Sequence, residues 1–93
     1  MTSFTTRIEL HDATWNDYEK LHAEMVAQGF VNTIRADDGV TYELPPAEYN
    51  FDGDLTRSDV LDRAKTAAGR TNRKYAAIVT QSNGRTWCGL AKA

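Results

Sequence analysis

Several features that mark common protein classes are absent from this sequence. Cys88 is the only cysteine, so no internal disulfide partner exists and a reducing compartment is expected. No apolar run approaches the roughly 18–20 residues that a membrane-spanning helix needs. The first residues lack the basic start and the apolar stretch of a signal peptide. The sequence therefore predicts a cytoplasmic protein with no membrane partner.

Familiar phosphate-binding and catalytic motifs are also missing. The chain contains no P-loop, no GxGxxG and no GxSxG. Cys88 has no CxxC partner and no histidine nearby in the sequence, which argues against a zinc or redox site. Asp52-Gly53-Asp54 resembles the start of a calcium loop, but the twelfth position is Arg63 instead of a carboxylate. No resident cofactor is predicted from these motifs.

The charge of the chain is low in total but unevenly distributed. The formal net charge is -2 over 93 residues, which argues against a basic nucleic-acid-binding domain. Residues 1–56 carry 3 Lys and Arg against 11 Asp and Glu, whereas residues 57–93 carry 8 against 2. Such an asymmetry is a reason to expect an anionic partner for the basic half.

Hydrophobic periodicity predicts a single domain over residues 1–93. We expect helices at 14–28 and 58–70, and strands at 4–10, 30–36, 40–44, 75–82 and 85–90. Residues 47–51 are expected only as a short extension after the break at Pro45-Pro46. The last two strands are joined by the hairpin signal Asn83-Gly84. This order predicts an α+β, ferredoxin-like β-α-β-β-α-β fold with an additional C-terminal strand and two helices on one face of an antiparallel sheet.

In two of the predicted strands, the residue pattern indicates which faces are buried. In residues 4–10, Phe4, Thr6, Ile8 and Leu10 alternate with Thr5, Arg7 and Glu9, which predicts one buried and one open face. In residues 75–82 both faces are apolar. A strand covered on both sides in so small a domain indicates a partner subunit, so a homodimer is expected.

The end of the first strand offers the best candidate for catalysis. His11 can transfer protons near neutral pH, and Asp12 can orient it or bind a divalent cation. Arg7, beside Glu9 on the open face, can stabilise a pentacoordinate phosphate. The alternative is an ordinary turn in which Asp12 helps the helix to begin. His22 is expected to be a partly buried helix histidine.

The basic half offers candidates for RNA binding. Arg70, Arg73, Lys74 and Arg85 can neutralise phosphates, and Trp87 can stack on an unpaired base. The alternative is a solvated helix face together with core aromatics, because Asp59 and Asp62 offset part of the positive charge.

Several short strings resemble those of a known family. They are Arg7-Ile8-Glu9-Leu10-His11-Asp12, Gly29-Phe30, Asp38-Gly39 with Tyr42, Leu44-Pro45, Glu48-Tyr49, Thr56-Arg57-Ser58 and Ser82-Asn83-Gly84-Arg85-Thr86-Trp87. Over almost the whole chain they look like the GhoS-type antitoxins of bacteria. The resemblance implies a ferredoxin-like domain, similar to the small nuclease-like proteins of CRISPR adaptation, and endoribonucleolytic cleavage of a toxin messenger RNA. It also implies that Asp12 matches the functional carboxylate at the end of the first strand in the CRISPR-type relatives.

Two functions are therefore expected from the sequence. The first is an RNA-binding or endoribonuclease-type protein of a bacterial toxin–antitoxin-like system. The second is a non-catalytic homodimeric ferredoxin-like binding module, in which the basic half of one subunit pairs with the acidic half of the other.

Overall fold

The structure, a computed structural model, describes all of residues 1–93. Its elements are β1 (Ser3–Leu10), α1 (Trp15–Ala27), β2 (Thr33–Arg35), β3 (Thr41–Glu43), β4 (Glu48–Asp52), α2 (Arg57–Gly69) and β5 (Tyr75–Gln81). The order β-α-β-β-β-α-β, with an antiparallel sheet and two helices, is compatible with the ferredoxin-like fold and confirms the predicted class. Neither helix has the length and apolar character needed to cross a membrane.

The sheet is built around β1. This strand pairs antiparallel with β4 on one side, where Thr6 faces Tyr49, and with β5 on the other, where Thr6 faces Val79. The resulting order is β4-β1-β5. Strands β2 and β3 form a separate two-stranded sheet, which is joined to β4 by a bridge between Val31 and Asn50. Residues at opposite ends of the chain are thus neighbours in the main sheet.

Both helices begin with the same capping arrangement. In α1 the Thr14 hydroxyl accepts a hydrogen bond from the Asp17 backbone, and the Asp17 carboxylate accepts one from the Thr14 backbone. Thr56 and Asp59 repeat this reciprocal pairing at α2. Each pair satisfies two of the donors that a helix N-terminus leaves free, as the spacing of these residues predicts.

These capping carboxylates make the fold sensitive to acid. The backbone N–H of Thr14 holds the pKa of Asp17 below its usual 3.8, and that of Thr56 does the same for Asp59. A lowered pKa stabilises the fold above the unfolded value, and the stabilisation is lost as the pH falls through the folded value. We expect the free energy of unfolding to decrease below about pH 4. Urea denaturation between pH 2 and 6 measures this free energy, and its decrease should be smaller for Asp59→Asn than for the wild type. An equal decrease in both proteins would contradict the role of Asp59 in the acid sensitivity.

The core lies between the sheet and the helices. The predicted alternation in β1 is confirmed, because Phe4, Thr6, Ile8 and Leu10 are buried against the helix layer. Leu21 and Met25 of α1 pack into the same cluster. The buried face of α2 consists of Val60, Ala64, Ala67 and Ala68. Small side chains on this face allow α2 to lie close to the sheet.

The additional strand lies at a different place from the predicted one. Residues 85–90 are not a strand, whereas β4 covers most of the predicted 47–51 extension and is a full partner of β1. Ala47 adopts a left-handed backbone (φ 64°) after the two prolines, at the point where the chain enters β4. The segment after β5 does not return along β5 as a hairpin. It crosses to β3, where the backbone groups of Ala91 and Ala93 hydrogen-bond with those of Glu43 and Thr41. The local Asn83-Gly84 signal is thus overridden by partners elsewhere in the chain.

Within one chain, only one face of β5 is covered. In β5 the half-buried residues alternate with exposed ones, and Ile78 is 63% exposed. Because β5 is the last strand in the order β4-β1-β5, its outer edge has no strand partner within the chain.

Candidate functional site

Three side chains of the predicted site form a row along the open face of the sheet. Arg7 and Glu9 are exposed on β1, and His11 follows directly after the strand. Alternate residues of a strand point to the same face, about 6.6–6.8 Å apart. The Nε2 atom of His11 lies 3.2 Å from Oε1 of Glu9, which places the imidazole on this face as well. We call Arg7, Glu9 and His11 the β1 row.

The backbone of His11 is fixed although its side chain is exposed. Its N–H donates a hydrogen bond to the carbonyl of Lys74 at 2.8 Å, one residue beyond the last register pair of β1 and β5. The chain then turns at Asp12, which adopts a left-handed backbone (φ 52°). Aspartate tolerates this conformation better than most residues. The turn therefore leaves His11 at a defined position at the end of the sheet.

The β1 row combines three kinds of chemistry. The imidazole can take up or release a proton near neutral pH, and the Glu9 carboxylate can accept its ring N–H and stabilise its charged form. The guanidinium of Arg7 has no carboxylate within ion-pair distance, so its charge is free to act on an anion. The row thus offers a proton-transfer group, a group that orients it and a stabiliser of negative charge.

Asp12 does not occupy the predicted place. Its side chain is exposed and makes no hydrogen bond with His11, whose carboxylate partner is Glu9. No group of three or more His, Cys, Asp or Glu side chains is arranged to hold a metal ion. Asp12 therefore belongs to no such group of potential metal ligands.

Two of the predicted RNA-binding arginines are engaged by α1. Nη1 of Arg70 lies 3.0 Å from Oε2 of Glu24, and Nε of Arg73 lies 3.0 Å from Oδ2 of Asp17. These ion pairs join the basic half to the acidic half within one chain. Part of the positive charge of residues 57–93 is therefore neutralised by residues 1–56 of the same chain, without a second subunit.

The other three candidates lie in two places. Lys74 is exposed and adjoins His11 through the backbone. Arg85 donates from Nε to Oγ1 of Thr5 and from Nη2 to Oδ1 of Asn50, both at 2.7 Å. Desolvation by burial lowers the pKa of Arg85, and the negative charge of Asp52 raises it. Because Thr5 precedes Arg7 on the same face, Arg85 stands beyond the Arg7 end of the β1 row.

Trp87 belongs to a cavity of about 660 Å³ that also includes Arg85 and Arg35. Its ring makes an edge contact with Tyr42, with the centroids 5.7 Å apart. Of the five predicted RNA-binding residues, only Arg85 and Trp87 line this cavity. The predicted residues that can act together with the β1 row are Lys74 at one end and Arg85 at the other.

A larger cleft of about 880 Å³ opens beside the β1 row. It is lined by Arg7 and Glu9 of the row, by the first turns of α1 and by the connection from β3 to β4. His22 lies in its wall and stacks on Tyr49 with ring centroids 6.0 Å apart. Burial raises the pKa of Tyr49 to about 12. Nothing in the sequence pattern indicated this cleft.

Glu9 is the carboxylate that contacts His11, and the sequence analysis did not include it among the candidate site residues. Its position two residues before His11 on a strand was the available signal, because that spacing puts both side chains on one face. No protein-family model matches this chain, and no curated protein matches it. The function is therefore inferred from the geometry of the β1 row and its surroundings.

Proposed function

We propose that this chain binds RNA on the open face of its sheet and cleaves it through the β1 row. The observation that supports cleavage most directly is the 3.2 Å contact between Glu9 and His11, in line with the unpaired guanidinium of Arg7. The resemblance to the GhoS-type antitoxins implies RNA cleavage as well, in a bacterial toxin–antitoxin-like system. This proposal requires no metal ion.

The proposed reaction uses the ribose 2′-hydroxyl as its nucleophile. His11 takes the proton from the 2′-OH, and Glu9 stabilises the imidazolium that results. The O2′–P bond forms, and Arg7 stabilises the negative charge of the pentacoordinate phosphorus. The P–O5′ bond then breaks, and the leaving O5′ takes a proton from solvent. The products are a 2′,3′-cyclic phosphate and a free 5′-hydroxyl.

The flanking cations favour an RNA strand that runs along the row. Lys74 adjoins His11 at one end, and Arg85 stands beyond Arg7 at the other. Neither side chain is in an ion pair. Cations placed at both ends of the row can hold successive phosphates while His11 reaches the 2′-hydroxyl between them.

Cleavage of single-stranded RNA by the purified protein in EDTA tests this proposal. We expect fragments that end in 2′,3′-cyclic phosphates, and RNA binding that weakens as the salt concentration rises. A protein that neither cleaves RNA nor binds it in a salt-dependent manner would refute the function. Cleavage that requires a divalent cation would refute the mechanism.

The second candidate function is a non-catalytic homodimeric binding module, which one surface favours. Ile78 is exposed on β5, and the outer edge of this strand has no partner. The strand Tyr75–Gln81 contains no charged residue and no proline, the usual protections of an edge. A second copy that pairs along this edge would double the mass measured by sedimentation, and Ile78→Lys would restore the monomer. A monomer at every concentration would remove this candidate.

A further inference from the structure

The cleft beside the β1 row has an unusual balance of charge. Four glutamates line it, and Arg7 is the only cation among the lining residues. The glutamates are Glu9, Glu19, Glu43 and Glu48. They belong to four different elements or connections, since Glu19 lies on α1 and Glu43 on β3. A cleft with this excess of carboxylates attracts a cation.

The rest of the lining is apolar and aromatic. Trp15 is 75% exposed at the cleft, with Tyr18 one turn further along α1, and Pro45 and Pro46 lie opposite on the β3–β4 connection. Apolar and aromatic surface suits an organic cation, because methylene groups can pack on it and a positive charge is attracted to a ring face. A metal ion does not suit it, since no three of its carboxylates and histidines are grouped as ligands.

Tyr49 supplies an independent indication of a ligand. The residue is only 4% exposed and no group of the chain hydrogen-bonds to its hydroxyl, but this oxygen is not sealed from solvent, since Oγ1 of Thr6 is the only fully buried side-chain nitrogen or oxygen without a partner. A buried tyrosine normally satisfies its hydroxyl, and this one lines the cleft. The unpaired oxygen is an acceptor for a donor that enters from the cleft.

We propose that this cleft binds a free aliphatic diamine or polyamine. The ammonium groups of this ligand pair with the glutamates that line the cleft, and one ammonium group also donates a hydrogen bond to the Tyr49 hydroxyl. The methylene chain packs on the proline and aromatic side chains of the lining. The proposal does not rest on RNA cleavage, because Glu19, Glu43 and Tyr49 are outside the β1 row.

Fluorescence of Trp15 gives a direct measurement of this binding. In a Trp87→Phe background, Trp15 is the only tryptophan. Titration with spermidine should produce a saturable change, whereas 1,4-butanediol, a neutral analogue of the shorter diamine, should produce none. The double substitution Glu19→Gln with Glu43→Gln should weaken spermidine binding about tenfold, because it removes two of the four carboxylates that attract the ammonium groups.

A matched control separates this site from general charge attraction. Asp62→Asn with Asp54→Asn removes the same charge from exposed positions outside the cleft and should leave binding unchanged. An equal loss of spermidine binding in the control variant would overturn the site. Displacement of spermidine by Mg²⁺ at matched charge would overturn it as well, because either result would show that spermidine is only a nonspecific counterion of the acidic surface. An absence of any saturable change would overturn it too. Tighter binding of a lysine-containing peptide would overturn the assignment to a free amine.

Discussion

Replacing His11 by alanine is expected to lower the rate constant of RNA cleavage by about 10²–10⁴-fold, the usual contribution of a positioned general base. His11 is the only histidine on the open face, so no second imidazole can take over its proton transfer. Its side chain is 46% exposed and outside the core, so the urea midpoint should remain near that of the wild type. Single-turnover cleavage of a defined RNA measures the loss. An unchanged rate would remove His11 from the mechanism.

Two neighbouring variants distinguish the carboxylate partner of His11. Glu9→Gln keeps a hydrogen-bond acceptor but removes the charge that stabilises the imidazolium, so we expect a loss of about tenfold or more. Asp12→Asn should retain nearly full activity. Asparagine is the suitable replacement at this turn because it accepts the left-handed backbone of residue 12, whereas alanine would introduce strain. The opposite ranking would return the functional role to Asp12, as the family resemblance implies.

Phe4→Ala is expected to produce the largest loss of stability in the chain. Phe4 is completely buried on the central strand, where it faces Phe51 on β4 and Gln81 on β5. Removing its ring leaves a cavity that both neighbouring strands and the helices line, and such a change costs about 3–5 kcal/mol. That is a large share of the roughly 5–14 kcal/mol available to a domain of this size. Urea denaturation at neutral pH measures the change.

Phe4→Leu serves as the control for this prediction. It keeps most of the apolar volume, so we expect a distinctly smaller loss than for alanine. An alanine variant that loses less than about 1 kcal/mol would show that the core relaxes around the missing ring. A similar loss in both variants would indicate that ring shape, not volume, determines the packing.

The parts of the fold that the sequence predicted correctly depend on local signals. The alternation in β1 and the two capping boxes are each contained within a few residues, and all three occur in the structure. The additional strand was placed wrongly because its position depends on distant partners. Residues 48–52 become a strand by pairing with β1, and residues 91–93 join β3 by hydrogen bonds that no local pattern encodes.

The candidate site shows the same division. His11 and Arg7 were predicted from their types and from their place on the first strand, and both lie in the β1 row. The ion pairs of Arg70 and Arg73 were not predictable, because they depend on how the helices pack and bring Glu24 and Asp17 to these arginines. The cleft was missed for a related reason, since its lining comes from segments that are remote in sequence.

The position of β1 at the centre of the sheet has a consequence during translation. Residues 3–10 are synthesised before their partners on β4 and β5, which follow about forty and about seventy residues later. Until then the apolar side of β1, including Phe4 and Ile8, lacks its neighbouring strands and α2, and only α1 is made early enough to cover part of it. Long-range pairing of this kind is slow and exposes nascent chains to aggregation. We therefore expect chaperones that bind apolar segments to bind the nascent protein. We also expect slower growth at lower temperature to increase the yield of folded protein.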